Sequence, residues 1–240
     1  MTELSTSVFE SSTSTPAVVL DSISKLFGRF AALHDLTATF AAGRLYALLG
    51  ENGAGKTTLL RILAGLAKPT HGRVQALGAE PQNVSGRIGY MAHAMLLYDE
   101  LTARENLEYF RGLYPDRPKV SVEELLEEVN LAQVDPNRRV TAYSQGMKQR
   151  LALARALIAK PELLLLDEPF SNVDSKSIST MSALLARLRD GGATVIVITH
   201  QIEALAGNAD EWITMRAGTI VQRQRSIPSA PMMAVRGGER

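Results

Sequence analysis

The sequence predicts an α/β fold with a mixed, mostly parallel core sheet, an antiparallel β subdomain and a helical subdomain. Three observations support this prediction. A glycine-rich stretch over 50–58 lies between an apolar run at 45–49 and an apolar pattern of helical spacing from residue 59. Apolar runs of strand length alternate with helical segments in the second half, which is typical of a parallel sheet flanked by helices. Between these two parts, residues 93–160 are helical in character.

Length and composition limit the possible classes of protein. The chain has 240 residues, of which 45% are hydrophobic, enough for one large domain. A formal net charge of +1 argues against a basic nucleic-acid-binding surface, so we expect no nucleic-acid partner. The absence of cysteine excludes disulfides and thiolate metal sites. No apolar run reaches the ~18 to 20 residues that span a bilayer, so a membrane role would require a partner chain.

The two ends differ in composition from the rest of the chain. Residues 1–15 are rich in Ser and Thr and lack the basic and apolar regions of a signal peptide, which predicts a disordered leader. Residues 222–240 mix Gln, Arg, Pro, Gly and Ser, which predicts a flexible tail. The folded domain is therefore expected over 16–221.

The first third of the chain predicts an antiparallel layer followed by the glycine-rich turn. Short strands are expected within 17–27 and over 36–40, where apolar residues alternate with small or polar ones. After the strand at 45–49, a helix is expected from Lys56 to about Leu66, ended by a proline at position 69. Two more strands are expected at 73–77 and 87–91.

The rest of the chain predicts helices and then a return to strands. Helices are expected at 106–114, after a capping box at 121–124, and at 147–159 behind Ser144. The continuous apolar run at 163–166 predicts a strand buried on both faces. A helix at 177–189 and a strand at 194–199 complete the alternation, which places ligand chemistry at the carboxyl edge of the sheet.

The glycine-rich stretch is suited to binding phosphate. It matches the spacing G-x-x-x-x-G-K-[ST] of the P-loop, in a strand–turn–helix context. Glycines let successive backbone N–H groups face an anion, and the helix N-terminus adds its positive dipole end. Lys56 would reach the β- and γ-phosphates, and the Thr57 hydroxyl would bind Mg²⁺. The predicted nucleotide-binding residues of this stretch are Gly50, Asn52, Gly53, Gly55, Lys56, Thr57 and Thr58.

Two adjacent carboxylates, Asp167 and Glu168, follow the strand at 163–166. Their side chains diverge at a strand end, so each can serve a separate role. Asp167 would hold Mg²⁺, usually through water, and Glu168 would polarise the attacking water. An acidic turn after a core strand is the alternative for either residue alone. Beside a P-loop, the pair predicts hydrolysis of a nucleotide.

These motifs, taken with residues 143–150, resemble the nucleotide-binding domain of an ABC transporter over about 17–221. The segment Y-S-Q-G-M-K-Q-R resembles the family's L-S-G-G-Q signature and the basic start of its helix. Ser144 and Gly146 match the family pattern, whereas Gln145 and Met147 depart from it. The resemblance implies a head-to-tail homodimer or heterodimer, in which this helix N-terminus faces the γ-phosphate of ATP bound by the other subunit.

Three further residues take roles from the same resemblance. Asp174 resembles the D-loop aspartate, and His200 resembles the switch histidine that contacts the γ-phosphate. Phe27 lies where the family has an aromatic ring that stacks on adenine. A packed or solvated histidine and a core phenylalanine are the alternatives for the last two. The resemblance implies Lys56, Glu168 and His200 as catalytic residues, with ATP and Mg²⁺ as cofactors.

His93 stands where the family has the Q-loop glutamine. Mg²⁺ prefers oxygen ligands, so His93 would act through a bound water or as a donor to the γ-phosphate. With the run at 97–107, this substitution resembles the ATP-binding subunit of the heme exporter of cytochrome c maturation. The motif L-T-A-x-E-N-L also occurs in exporters of drugs, sodium and polysaccharides that have separate membrane subunits, which is the alternative.

The resemblance implies an ATP-hydrolysing subunit that is peripheral to the cytoplasmic face of the membrane. ATP-driven dimer closure would power separate transmembrane permease subunits. A soluble ABC protein of nucleic acid or ribosomes is a weaker rival, because the chain has one cassette with a compact insert. A nonhydrolytic regulatory subunit would be expected to lose Glu168 or His200, and both are present. A small-molecule kinase would leave residues 143–150 unexplained.

Overall fold

The computed structural model describes residues 16–227, so the leader predicted for 1–15 lies outside the described part. The strands are β1 (Pro16–Phe27), β2 (Phe30–Ala41), β3 (Leu45–Leu49), β4 (His71–Ala76), β5 (Ile88–Met91), β6 (Leu163–Asp167), β7 (Thr194–Ile198), β8 (Glu211–Arg216) and β9 (Thr219–Gln224). The helices are α1 (Lys56–Leu63), α2 (Ala103–Gly112), α3 (Val122–Glu128), α4 (Gln145–Leu157) and α5 (Ser175–Asp190).

The strands form a large sheet and a small one. The large sheet has the order β5-β6-β7-β3-β8-β9, and its neighbours are parallel except for the antiparallel pair β8/β9. The small sheet has the order β2-β1-β4 and is antiparallel throughout. The predicted fold class, a mostly parallel core sheet with an antiparallel β subdomain and a helical part, is confirmed.

The core sheet is covered on both faces, which explains the continuous apolar run of β6. Leu164 and Leu166 belong to the apolar cluster formed with α2, α3, α4 and α5. Leu163 and Leu165 belong to the opposite cluster, formed with α1 and the small sheet. Successive residues of a strand point to opposite faces, so both sets must be apolar when neither face is solvated.

The helical part, within the range predicted for it, begins two of its helices with capping boxes. The box predicted at Ser121 is present, with the Ser121 Oγ accepting from the Glu124 N–H at 3.1 Å. Thr102 and Glu105 form a second box at the start of α2. Each cap satisfies backbone donors at the helix N-terminus, so helices as short as α3 have defined starting points. Over residues 16–227, each helix is too short or too polar to cross a bilayer.

Several boundaries differ from the predicted ones. The separate strands expected within 17–27 form one strand of 12 residues, bent by register shifts along its pairing with β2. The helix α1 ends at Leu63, three residues earlier than expected, because Gly65 turns the chain with a φ of +75°.

The flexible tail predicted from residue 222 is wrong for 222–224, which belong to β9. Arg223 places its guanidinium 2.6 Å from Glu211 and donates to the Thr39 carbonyl oxygen at 3.0 Å. A polar edge strand has the same composition as a flexible tail, so the sequence does not distinguish them. In the structure, pairing with β8 and the contacts of Arg223 hold these residues in β9. Residues 228–240 lie outside the described part.

Candidate nucleotide-binding site

A cavity of about 660 Å³ opens at the carboxyl ends of β3, β6 and β7, the edge of the sheet that the sequence predicts for ligand chemistry. The P-loop forms one wall and the carboxylates after β6 form another. The predicted residues among its lining are Asn52, Gly53, Gly55, Lys56, Thr57, Thr58, His93, Asp167, Glu168 and His200. The structure therefore brings most of the predicted site together.

The shape of the P-loop requires glycine at two positions. Gly50 has a φ of +143°, and a Cβ there would lie 2.3 Å from the Met215 carbonyl oxygen. Gly55 has a φ of +97°, and its Cβ would lie 2.4 Å from the carbonyl oxygen of Ala32. Gly55 also begins α1 without a side-chain cap, so the loop is closed by backbone geometry. The first N–H groups of α1 therefore point out from the N-terminal end of the helix, where they can bind an anion.

The loop is supported from behind by the turn between β8 and β9. The Gly218 N–H donates to the Ala54 carbonyl oxygen at 3.1 Å, and the Gly218 carbonyl oxygen accepts from the His34 N–H at 3.1 Å. A Cβ at Gly218 would lie 2.9 Å from the Ala32 carbonyl oxygen. The P-loop, the small sheet and the β8–β9 hairpin therefore meet at Gly218.

Lys56 extends back along the loop and is 6% exposed. Its Nζ donates to the Gly50 carbonyl oxygen at 2.6 Å and to the Glu51 carbonyl oxygen at 2.9 Å. Burial lowers the pKa of Lys56, while the nearby carboxylates of Glu168 and Asp167 oppose this shift. The lysine is thus a desolvated cation beside the loop, where a phosphate would strengthen its charged form.

Thr57 and Asp167 are paired, with the Thr57 hydroxyl donating to Asp167 Oδ2 at 2.9 Å. Hydroxyl and carboxylate oxygens are hard ligands, so the pair fits Mg²⁺. Within 16–227, no group of three or more His, Cys, Asp or Glu side chains could hold a metal ion by itself. Mg²⁺ usually keeps several waters and takes further oxygens from substrate phosphates.

Glu168 lies in a strained backbone conformation next to His200. Its φ of +55° is in the left-handed region, which is uncommon for a residue with a side chain. Its Oε2 accepts from the His200 N–H at 3.3 Å, and its Oε1 lies 3.3 Å from His200 Nε2. The same Oε1 is buried without a hydrogen bond of ordinary geometry. Burial raises the pKa of Glu168, and His200 partly offsets this shift.

The raised pKa of Glu168 predicts a pH-dependent cost to stability. The folded state holds the Glu168 proton more tightly than the unfolded state, so the native form loses relative stability as pH rises from the unfolded value through the folded pKa. Glu168→Gln has no charge to bury. We expect this variant to be more stable than wild type at pH 8, and the difference to shrink toward pH 4.5. Urea unfolding of both proteins at several pH values, without nucleotide, measures the difference in their free energies of unfolding. A constant difference would contradict the burial argument.

The aromatic residue that lines the cavity is Phe30 and not Phe27, while the adenine-stacking role expected of Phe27 stays a prediction. Phe30 and Ala32 of β2 line the cavity beside the P-loop. Phe27 is the strand partner of Phe30 across the β1–β2 hairpin, but it is absent from the lining, and its ring centroid lies 5.2 Å from Lys25 Nζ. The phenylalanine on the other arm of the hairpin therefore faces the site.

Ser144, Gly146 and Asp174 lie outside the cavity lining and near a common position. Ser144 Oγ accepts from the Met147 N–H at 3.2 Å and caps α4, and Asp174 Oδ1 accepts from the Ser177 N–H at 3.0 Å and caps α5. A Cβ on Gly146 would lie 3.7 Å from the Asn172 carbonyl oxygen, so the two helix starts are close. This chain by itself does not bring these three residues to its own P-loop.

The cavity also contains residues that the sequence reasoning missed, namely Phe30, Arg61, Ser171 and Gln201. Arg61 follows Thr57 by four residues, a spacing that places both on one face of α1, so helical periodicity was an available signal. Ser171 and Gln201 follow the carboxylates and His200 in loops, where periodicity gives no such signal.

A P-loop, a Thr57–Asp167 pair and a partly buried glutamate at the carboxyl edge of a mostly parallel sheet define a P-loop ATPase cassette. The family model described as "ABC transporter" matches residues 33–171, more than half of the chain. The chain belongs to the ABC transporter family and carries its ATP-binding, ATP-hydrolysing domain, as the sequence motifs predicted.

Several curated proteins are similar to the chain. The sulfate/thiosulfate import ATP-binding protein CysA of Synechocystis sp. is 38% identical over 213 residues, which cover 86% of this chain and 60% of that protein. The ABC transporter ATP-binding protein NatA of Bacillus subtilis is 35% identical, with 80% and 81% covered. The daunorubicin resistance ATP-binding protein DrrA3 of Streptomyces coeruleorubidus is 37% identical, with 85% and 67% covered. The chain thus spans about 60% of the length of the CysA proteins it matches.

Solved structures agree with the fold. The dimeric, post-hydrolysis ATP-binding cassette MJ0796 bound to ADP and Pi is similar with a TM-score of 0.78 and 28% identity. The match covers 87% of this chain and 98% of that one. None of these similar proteins is described as a heme exporter, so the comparisons support the family and leave that subgroup without support.

Proposed function

We propose that this chain is the ATP-hydrolysing subunit of a transporter and that it works as a dimer with separate permease subunits, at the cytoplasmic face of the membrane. One observation carries the proposal. The phosphate-binding and carboxylate residues converge on one cavity, whereas the segment at 144–146 lies outside its lining. A second copy would supply that segment, so each site would be completed only in the dimer.

The residues of the cavity have separable roles in this proposal. The N–H groups of the P-loop and Lys56 bind the β- and γ-phosphates. Mg²⁺, when held by Thr57 and Asp167, would neutralise charge that develops on the phosphate oxygens. Glu168 accepts the proton of the attacking water, and its raised pKa makes it a stronger base than an exposed glutamate. His200 donates to the γ-phosphate while its backbone N–H holds Glu168.

Nucleotide selection is assigned to the aromatic residue that faces the cavity. Phe30 is 62% exposed at the cavity mouth, where its ring can stack on adenine. We therefore move the stacking role proposed for Phe27 to Phe30. His93 also lines the cavity, and in this proposal it contacts the γ-phosphate directly or through water.

The second subunit is proposed to contribute Ser144, Gly146 and Asp174. Ser144 caps α4, a helix of 13 residues whose N-terminal end favours an anion. The dimeric state of the similar cassette bound to ADP and Pi supports the dimer that this arrangement needs.

A shared site predicts that hydrolysis depends on encounters between two chains. We expect the ATPase rate of the purified full chain, with Mg²⁺, to rise with about the square of protein concentration while monomers predominate. Light scattering at the same concentrations measures the dimer fraction. A rate that stays strictly proportional to protein concentration, with no dimer formed on ATP, would contradict the shared site.

The most specific part of the proposal concerns which molecule the transporter moves. Heme export in cytochrome c maturation rests on His93 and the run at 97–107. Export of drugs, ions or polysaccharides through a separate membrane subunit is the alternative, and similarity to the daunorubicin resistance protein favours it. Affinity purification of the tagged chain from its own cells, followed by identification of co-purifying membrane chains, distinguishes them. Heme-handling chains would support the first, and a permease of another kind would overturn it.

A further inference from the structure

Gln149 is a buried side chain that no role described above uses. It lies on α4, five residues after Ser144, and is 3% exposed. Its Nε2 donates to the Glu168 carbonyl oxygen at 2.8 Å. The helix that begins at the segment proposed to meet the partner's ATP is therefore bonded to the backbone of the proposed base.

The backbone of Glu168 needs such support. A residue with a side chain at a φ of +55° is in a sparsely populated conformation, which persists only where its surroundings hold it. The Glu168 N–H donates to the Ile198 carbonyl oxygen at 2.9 Å, which ties one side of the peptide to β7. On the other side, the Glu168 carbonyl oxygen accepts from Gln149 and, at 3.3 Å, from the Ser171 N–H.

We propose that Gln149 is a positioning residue for Glu168, through which the placement of α4 sets the direction of the base. This inference rests on the proposed role of Glu168 in hydrolysis. Gln149 does not reach the cavity lining and so acts only through the backbone it holds. Because the bond joins α4 to the residue that directly follows β6, a displacement of α4 on dimer closure would be passed to Glu168.

Contacts on either side of Gln149 along α4 hold this helix in place. Lys148 Nζ lies 2.7 Å from Asp99 Oδ1, in a pair whose lysine side chain is 16% exposed. Arg155 donates to the Leu96 carbonyl oxygen at 2.8 Å and is 9% exposed. These contacts tie α4 to the segment after His93, so Gln149 connects the base to a helix that is fixed at both ends.

A double-mutant cycle tests the positioning role. Gln149→Met keeps the length and volume of the side chain and removes its N–H donor. We expect kcat for ATP in the full chain to fall about 5- to 30-fold, the effect of losing one buried hydrogen bond, with KM changed less than about threefold. In the Glu168→Gln background, Gln149→Met should cause almost no further loss, because its effect passes through the base. Gln75→Met, the same change at an exposed site on β4, is the control.

The outcomes separate the two proposals. Wild-type turnover in Glu168→Gln alone would overturn the proposed function. A loss in Glu168→Gln, with Gln149→Met unchanged or equally harmful in both backgrounds, would overturn the inference. If Gln149→Met fails to fold by circular dichroism, Gln149→Leu takes its place, since leucine is also apolar and has no side-chain N–H to donate.

Discussion

Glu168→Gln lowers ATP turnover by an expected 10²- to 10⁴-fold, roughly the range for removing a general base, while ATP still binds. The amide keeps the size of the carboxylate and cannot accept the proton of the attacking water. Because phosphate contacts through Lys56 and the P-loop remain, the variant should bind two ATP molecules and stay closed as a dimer. Single-turnover hydrolysis measures the chemical step, and light scattering with Mg²⁺-ATP measures the dimer.

The matched control for this prediction is Glu80→Gln, the same change at an exposed residue outside the cavity. It should hydrolyse ATP as wild type does and should not accumulate as a dimer. Turnover in Glu168→Gln equal to that of wild type would remove Glu168 from the role of base. In that event the partly buried Glu168 carboxylate would need another explanation, such as a purely structural contact with His200.

Lys56→Met is expected to weaken ATP binding by about 10- to 100-fold, because hydrogen bonds to a charged group are worth roughly 1.5–3 kcal/mol each. Methionine fills the volume of the lysine stem but carries no charge for the phosphates. Folding should survive, since the variant removes a desolvated cation whose pKa burial lowers. Isothermal titration calorimetry with ATP gives the dissociation constant, and thermal unfolding shows that the domain is intact.

For Lys56→Met, the control is Lys68→Met, which changes an exposed lysine in the loop after α1. Its ATP affinity should match that of wild type. If Lys56→Met were to bind ATP with unchanged affinity, the phosphate would have to be held by backbone N–H groups alone, and the role of Lys56 would be limited to its bonds with Gly50 and Glu51.

The sequence predicted the structure best where a few neighbouring residues determine both a strand or helix and the part of the site beside it. The spacing from Gly50 to Thr57, between an apolar strand and an amphipathic helix, predicted both the loop and the position of α1. The apolar run of β6 and the carboxylates after it predicted a buried strand that ends at the cavity. In both cases, the same few residues determine the local backbone and face the site.

The sequence is least informative where a long-range contact decides the outcome. Whether Phe27 or Phe30 faces the cavity depends on how the β1–β2 hairpin packs beside the P-loop, and the two residues are only three positions apart. The order of residues 222–224 depends on pairing with β8 and on Glu211. The bond from Gln149 to Glu168 joins residues 19 apart whose helix and strand both look ordinary in the sequence.

The bonds of Gly218 to Ala54 and His34 have a consequence for synthesis of the chain. The ribosome releases the P-loop early. Gly218, which supports the loop through Ala54, is made 164 residues after Ala54. The nascent chain can form its strand–turn–helix before then, yet the loop gains its final support only when the C-terminal hairpin emerges. The ATP site would therefore mature only after Gly218 has been made, later than α4 and β6, and a chain that stops before Gly218 would be released with an unsupported phosphate loop.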